Sequence, residues 1–216
     1  MPRPLKDKGN VHNILGVYSL GTPEDIEYGM YWYPRERATI DVELTPYLHI
    51  NQKVWAVVVA SPQCEWGDNI PLAQRAWESK WISGSGKVER VLPDMKLTDD
   101  QCAALDYIFD DPFDDIKNGV EPPGLGLKTR AFGLCLLGKE EYGYVPIDKH
   151  SYSVWRGDLA IPYKTKITPK EHEQAQADYD RAGKALDISN AQAQAITWGI
   201  CRRLRAEGEA ELWSPR

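Results

Sequence analysis

The sequence predicts a mostly α-helical protein, and three observations lead to that fold class. Four segments carry the hydroxyl-plus-acid pattern that starts helices, spread from residue 22 to residue 192. The last of them opens an amphipathic segment with an isoleucine or leucine at every fourth position. The run whose composition suits a strand has no partner strand elsewhere in the chain.

Each helix start is a threonine or serine followed three residues later by an acid or a glutamine. The hydroxyl can accept the third amide of the helix while the third side chain reaches back to the cap residue. Two of the segments also place proline at the first helical position, where its missing N–H costs nothing. The four pairs are Thr22 with Asp25, Thr98 with Gln101, Thr168 with Glu171, and Ser189 with Gln192.

The apolar segments between these caps supply the remaining elements. "VWAVVVA" (54–60) is predicted as a buried helix rather than a strand, because another helix start follows at Asp68 or Asn69. The other predicted elements are a solvated loop over 82–95, a helix from Leu127 or Lys128 to Leu137, and a last helix over 191–207.

The composition narrows the class of protein. No apolar run approaches the length of a membrane span, and the N-terminus lacks the apolar stretch of a signal peptide. We therefore expect a cytoplasmic monomer without membrane contact. The four cysteines are scattered with no CxxC pair, so we expect no metal site, no iron–sulfur cluster and no cofactor. The net charge is −6, and residues 94–121 hold nine acids, which is typical of a solvated face and makes that face a candidate surface for a protein partner.

The turn "PPGLGLKTRAF" (122–132) joins this acidic segment to a predicted helix. Gly124 and Gly126 can adopt positive φ and let a phosphate approach the backbone closely. The following helix points its free N–H groups and its positive dipole end at the turn, so the arrangement suits a phosphodiester. A glycine turn of this kind also joins ordinary pairs of helices, and its glycine spacing differs from that of a P-loop.

Three segments together resemble the helix-hairpin-helix superfamily of DNA glycosylases, the endonuclease-III-like group. Residues 123–129 resemble the family's hairpin, and 147–150 resemble its V-D-x-H segment one helix later. "VVVASPQCEWGDNIPLA" (57–73) resembles the early helix, the Ser-x-Gln turn and the following helix with its asparagine. The segments lie in the family's order over residues 50–155, and the chain looks like a minimal version without the iron–sulfur cluster.

The resemblance implies two helical lobes with a helix-hairpin-helix element at the cleft between them. The chain would be a single compact unit over 1–216, with one lobe over 50–128 and the other formed by 1–49 together with 129–216. A base of duplex or single-stranded DNA would be extruded into the cleft, because its glycosidic bond is inaccessible inside a stacked duplex.

The resemblance also implies roles for the matching residues. Lys128 would attack the sugar's C1′ as a neutral amine, its pKa lowered by partial burial, and form a Schiff base. Asp148 would stabilise positive charge on the sugar or orient the nucleophile. His150 is expected to brace the loop that carries Asp148. The residues expected to bind DNA are Gly124, Leu125, Gly126, Thr129, Arg130 and Gln63, with Ser61, Trp66 and Asn69 around the pocket.

The function implied is a base-excising DNA glycosylase with lyase activity at abasic sites. One alternative keeps the fold and changes the chemistry to a DNA base-hypermodification transferase of the bacteriophage type, which would make the protein virus-encoded. The other alternative is a non-catalytic helix-hairpin-helix module that binds DNA or a partner protein. In that case Lys128 would be an exposed, unreactive lysine and Asp148 a loop or capping residue.

Overall fold

The computed structural model describes residues 10–61, 66–82, 84–88, 97–111, 113–139, 143–161 and 165–209. These residues form ten α-helices, so the mostly α-helical fold class is confirmed. None of the helices is both long and apolar enough to cross a membrane. The helices are α1 (Val11–Tyr18), α2 (Pro23–Met30), α3 (Trp32–Glu43), α4 (Ile50–Ala60), α5 (Trp66–Ile82), α6 (Asp99–Asp110), α7 (Leu127–Leu136), α8 (Lys149–Arg156), α9 (Pro169–Leu186) and α10 (Asn190–Ala206).

All four predicted capping boxes are present. The hydroxyls of the cap residues of α2, α6, α9 and α10 accept the third backbone N–H, and the third side chain bonds back to the cap amide. The "VWAVVVA" run is helical and lies in α4, whose residues from Gln52 to Ala60 are all buried. The predicted bounds of α7 and α10 are right to within one residue, whereas α1, α3 and α8 had no predicted start.

The chain divides into two compact units. We call Met1–Tyr33 together with Gly138–Arg216 the terminal unit, and Pro34–Leu137 the central unit. The boundaries predicted from the sequence, at 49/50 and 128/129, differ from these. The central unit begins within α3, before α4, and it also contains all of α7.

The terminal unit is built around α10. This helix packs against α1, α2, α8 and α9, and its Ile196, Ile200 and Leu204 are buried as the four-residue spacing predicts. The contact with α2 is unusually close, because a Cβ at Gly29 would lie 2.5 Å from the Cα of Ile196. A glycine is therefore required where these two helices meet.

The central unit is built around α4. It packs against α5, α6 and α7, and its Trp55 is fully buried. Gly133 of α7 lies against the Trp55 ring so closely that a Cβ would overlap the indole. The Gln52 side chain donates to the carbonyl oxygen of Ile108 at 2.9 Å, which fixes α4 to α6.

Most of the described carboxylates in the acidic segment 94–121 bind groups within the central unit. The side chain of Lys80 is 2% exposed and binds Asp106 at 2.9 Å and Asp110 at 3.1 Å. The carboxylate of Asp111 accepts two backbone N–H groups, at 2.9 and 3.1 Å. Residues 94–96 and 112 of this segment lie outside the described residues. A protein partner at this face stays a prediction, and these carboxylates already have partners of their own.

Candidate functional site

The glycine turn opens α7 as the sequence predicts. Gly124 has a φ of +77°, and Gly126 is the N-cap residue with a φ of −68° and a ψ of 156°. A Cβ built on either glycine would meet no atom within 4 Å, so both face open space. Because the N-cap glycine has no side chain, it offers no acceptor to the N–H groups of the first turn of α7. These groups are the ones that a phosphate oxygen would use.

The element before the turn is shorter than a helix-hairpin-helix motif requires. After α6 the chain passes through Asp111 with a φ of 34°, and a single helical turn follows over 114–119. The carboxylate of Asp111 caps that turn, and the side chain of Asn51 on α4 donates to the carbonyl oxygens of residues 116 and 117. The helix-hairpin-helix identity of this segment therefore stays a prediction.

Lys128 occupies the second position of α7 and is exposed. We expected this lysine to be partly buried, and that prediction is wrong, because its side chain projects from the turn into solvent. Leu125 and Thr129 are half-buried beside it. An amine that is solvated in this way gains nothing from desolvation until another molecule covers it.

Arg130 is engaged within the central unit. Its Nε donates to Oε2 of Glu121 at 2.5 Å and its second terminal nitrogen donates to Oε1 at 3.1 Å, a two-point ion pair. This pair joins the two ends of the glycine turn. Arg130 is therefore expected to stabilise the turn, and any DNA phosphate would have to compete with Glu121 for it.

The Ser-x-Gln segment is described only in part. The side-chain amide of Asn69 is buried and donates to the hydroxyl of Ser61 at 3.1 Å, so these two predicted pocket residues do contact each other. Trp66 is half-buried, and its indole N–H donates to Glu36 at 2.6 Å. Gln63, one of the residues expected to bind DNA, lies outside the described residues.

Asp148 is the N-cap of α8, at the end of the irregular segment 143–148 that leads into the helix. Its Oδ1 accepts the backbone N–H of Ser151 at 2.8 Å, and its Oδ2 accepts the indole N–H of Trp198 at 2.9 Å. The carboxylate is thus held by α8 and by the indole on α10, which fits the capping alternative for Asp148, and a brace from His150 stays a prediction. The two hydrogen bonds fix the orientation of this carboxylate.

His150 lies between Trp198 and Cys201. The imidazole meets the Trp198 ring edge-on at 6.2 Å, and its Nδ1 is 4.0 Å from the Cys201 sulfur. Burial lowers the pKa of His150; Asp148 opposes the shift, and the charges of Arg205, Arg202 and Lys149 increase it. We therefore expect His150 to be neutral near pH 7.

Trp198 lies beside Asp148 and His150, and Arg202 lies over Trp198. Neither residue was predicted from the sequence. The guanidinium carbon of Arg202 lies 4.7 Å above the Trp198 ring, and Trp32 contacts the same indole at 5.7 Å. Trp198 and Arg202 are four residues apart on an amphipathic helix. Because residues at i and i+4 are neighbours on a helix surface, this spacing could have predicted their contact.

A buried network of hydrogen bonds joins α8 to α9 and α10. The amide of Gln194 on α10 donates to the Ser151 hydroxyl at 2.8 Å and accepts the Tyr33 hydroxyl at 2.8 Å. Tyr179 of α9 donates to the Ser151 carbonyl oxygen at 3.1 Å. Burial raises the pKa of Tyr179, so this hydroxyl remains a donor at all ordinary pH values. The network keeps the first turn of α8, and with it Asp148, in one position.

The predicted residues therefore fall into two groups. Lys128, the glycine turn, Ser61 and Asn69 belong to the central unit, and Asp148 and His150 belong to the terminal unit. Within the parts of the chain that the structure describes, no cluster of three or more histidine, cysteine or acidic side chains could hold a metal ion.

The chain belongs to the family of unknown function DUF7178, which it matches over residues 2–205. The match includes the glycine turn, Asp148, Trp198 and Arg202, so both groups of residues lie inside the family's domain. No curated protein and no solved structure is significantly similar to the chain. Any proposal about its activity therefore depends on the chemistry of these residues.

Proposed function

We propose that the protein acts on DNA as a base-excising glycosylase with lyase activity at abasic sites. The observation that carries the proposal is the glycine turn at the N-terminus of α7, which has an open face and places Lys128 at the second helical position. The resemblance to the helix-hairpin-helix glycosylases supplies the reaction class.

The first step is binding of the DNA backbone by the turn. The N–H groups of the first turn of α7 have no side-chain cap, and a Cβ at Gly124 or Gly126 would meet no atom within 4 Å. A phosphodiester there gains from hydrogen bonds and from the helix dipole together. The net charge of −6 makes such local donors important, because the whole molecule does not attract a polyanion.

The chemical step is assigned to Lys128. Its amine attacks C1′ as the bond to the base breaks, and one amine proton passes to the departing base. The second amine proton passes to the ring oxygen as the C1′–O4′ bond breaks, which leaves an imine between lysine and the opened sugar. Abstraction of a proton from C2′ then eliminates the 3′ phosphate and cleaves the strand. The exposed amine requires desolvation for this chemistry, and bound DNA that covers the first turn of α7 would provide it.

Asp148 is assigned to the cationic character that develops on the sugar. Its two hydrogen bonds, from Ser151 and Trp198, hold the carboxylate rigidly without neutralising it. A fixed anion near a developing oxocarbenium ion lowers the barrier without reorganising during the reaction.

Trapping with borohydride tests the proposal. Duplexes that contain an abasic site or a damaged base are incubated with the protein, and reduction converts any imine into a stable adduct. Lys128→Ala should abolish the adduct. Lys170→Ala is the matched control, because Lys170 is also exposed at the second position of a helix, α9, but behind a threonine cap. An adduct that survives in Lys128→Ala would contradict the role of this lysine.

A second candidate is a protein that binds DNA without cleaving it. The exposure of Lys128 favours this candidate, since the side chain then serves as a phosphate contact rather than a nucleophile. It predicts that no adduct forms with any substrate, and that Lys128→Ala weakens DNA binding modestly while Lys170→Ala leaves it unchanged.

A further inference from the structure

Arg202 differs from the other arginines of α10. Arg203 binds Asp25 and Glu207, and Arg205 donates to a hydroxyl and two backbone carbonyl oxygens. Arg202 is exposed and makes no ion pair within the described part of the chain. Its contact is the face of Trp198, four residues earlier on the same helix.

A guanidinium that lies over an indole keeps its donors for an anion. A cation–π contact uses the positive charge of the group and none of its N–H donors. The distance of 4.7 Å from the guanidinium carbon to the ring centre is within the range of a strong cation–π contact. Less side-chain freedom is then lost when a phosphate binds.

The indole beneath Arg202 is itself held in place. Its N–H bonds to Asp148 at 2.9 Å, its ring contacts Trp32 at 5.7 Å, and His150 meets it edge-on. Arg202 is therefore connected to the proposed catalytic carboxylate through one rigid side chain.

The charges around this platform favour an anion. Three cations, Arg202, Arg205 and Lys149, act on His150 together with a single carboxylate, Asp148. That carboxylate already accepts two N–H groups, which reduces its repulsion of a second anion. The charges that act on this imidazole, beside the same indole, are therefore mostly positive, on a protein whose net charge is negative.

We propose that Arg202, seated on Trp198, forms a phosphate-binding site beside Asp148, and that its ligand is a phosphodiester of the bound DNA strand. The site itself follows from the platform, whereas the identification of DNA as the source of the phosphate rests on the proposed function. Arg202 would position the strand and takes no part in bond breaking.

The salt dependence of DNA binding tests this site. One lost phosphate contact reduces the slope of log affinity against log salt by about 0.9. Arg202→Gln should show that reduction and bind about tenfold more weakly at low salt. Arg202→Lys should keep the slope, because it keeps the charge, and should still bind more weakly because it lacks the planar fork.

Arg156→Gln is the matched control. Arg156 is also exposed and also lies over the ring of a tryptophan, Trp155, at 5.9 Å in the same unit. It differs in lying at the last turn of α8, where Glu171 is close. An equal slope in wild type, Arg202→Gln and Arg156→Gln would overturn the proposed site and leave the proposed function standing.

A second arm uses inorganic phosphate and the Trp198 indole N–H resonance, identified by its loss in Trp198→Phe. Phosphate should shift this resonance in the wild type and not in Arg202→Gln. If the wild type does not bind DNA, the proposed function fails, and a phosphate-dependent shift that requires Arg202 still supports the site for another phosphate ligand. If phosphate causes no shift and Arg202→Gln does not alter DNA binding, the site is wrong.

Discussion

Asp148 holds the first turn of α8 with one carboxylate oxygen and the Trp198 indole with the other. It therefore has a structural task in addition to its proposed chemical one. A variant that loses activity could fail for either reason, so the two tasks need substitutions that separate them.

We predict that Asp148→Ala destabilises the protein more than Asp148→Asn. Alanine removes both acceptors, and loss of an N-cap costs about 1–2 kcal/mol. Asparagine keeps one acceptor oxygen for Ser151 but turns an NH₂ group towards the Trp198 N–H. Chemical denaturation measures both, and equal stability of wild type and Asp148→Ala would show that the cap contributes nothing. A catalytic role requires Asp148→Asn to lose activity far beyond its loss of stability.

The second residue-scale prediction concerns His172 of α9. It is 5% exposed, and within the part of the chain that the structure describes its ring nitrogens make no hydrogen bond of good geometry, only a weaker polar contact with the Gln176 side chain. Burial lowers the pKa of His172 from its ordinary value of 6.5, and Gln176 only partly opposes this. The unfolded chain then binds a proton that the folded chain rejects, so stability is complete above pH 6.5 and falls as the pH decreases below it.

Denaturation between pH 7 and pH 4.5 checks this prediction. Carboxylates such as Glu171, whose pKa is lowered by the Tyr152 hydroxyl, contribute mainly below that window. His172→Leu should reduce the loss of stability as the pH falls. The pH dependence that remains is assigned to His150, because burial also lowers its pKa. His12→Gln, at an exposed histidine, should retain the wild-type slope. If His172→Leu also retained it, His172 would have no part in the acid sensitivity.

Residue environments were the least predictable part of the site. The sequence placed Lys128 correctly at the start of α7, because glycine turns and helix starts depend on neighbouring residues. It did not show whether the amine is buried, because burial depends on segments distant in the chain. The partner of Asp148 on α10 lies 50 residues away, and nothing local to either residue indicates the bond.

At the scale of the elements, helices with a local start signal were predicted, α4 was predicted from its apolar run, and α1, α3 and α8 were missed. Each capping box is complete within four residues, so the four boxes needed no knowledge of tertiary packing. α8 starts at Asp148 with serine at the third position, which lacks the acid or glutamine of a box. α3 starts at Trp32 immediately after α2 and has no side-chain signal of its own.

The close contact between α2 and α10 gives an element-scale prediction. Gly29→Ala would place a Cβ 2.5 Å from the Ile196 backbone, which cannot rotate away, so we expect a loss of about 1–3 kcal/mol from overpacking. Gly199→Ala on α10 is the control, because a Cβ there meets nothing within 4 Å. That change should stabilise the helix by about 0.5–1 kcal/mol. Equal effects of the two substitutions in a urea titration would contradict the close approach.

At the scale of the molecule, the sequence indicated a helical protein of discontinuous organisation but placed the divisions differently. The terminal unit is assembled from both ends of the chain, and its core joins α1 and α2 to helices more than 100 residues later. Charge patterning is also visible in the sequence, yet the structure shows that much of the acidic segment binds Lys80, Arg130 and backbone amides. Such pairings need the fold and cannot be inferred from composition.

The last prediction follows from the central helix of each unit. α4 and α10 each pack against most helices of their own unit, so their amides should exchange with solvent more slowly than any others there. A glycine that touches one of these helices gives a way to loosen one unit selectively. Gly133→Ala overlaps the Trp55 ring in the central unit, and Gly29→Ala meets Ile196 in the terminal unit.

Hydrogen exchange followed by mass spectrometry measures the outcome. Gly133→Ala should accelerate exchange in α4 and α7 with little effect on α9 and α10, and Gly29→Ala should do the reverse, because each compact unit has its own buried core. Gly199→Ala, which meets no neighbouring atom, should accelerate exchange in neither unit. Uniform acceleration across all helices in either core variant would mean that the chain opens as one cooperative unit, and the division into two cores would then have no energetic meaning.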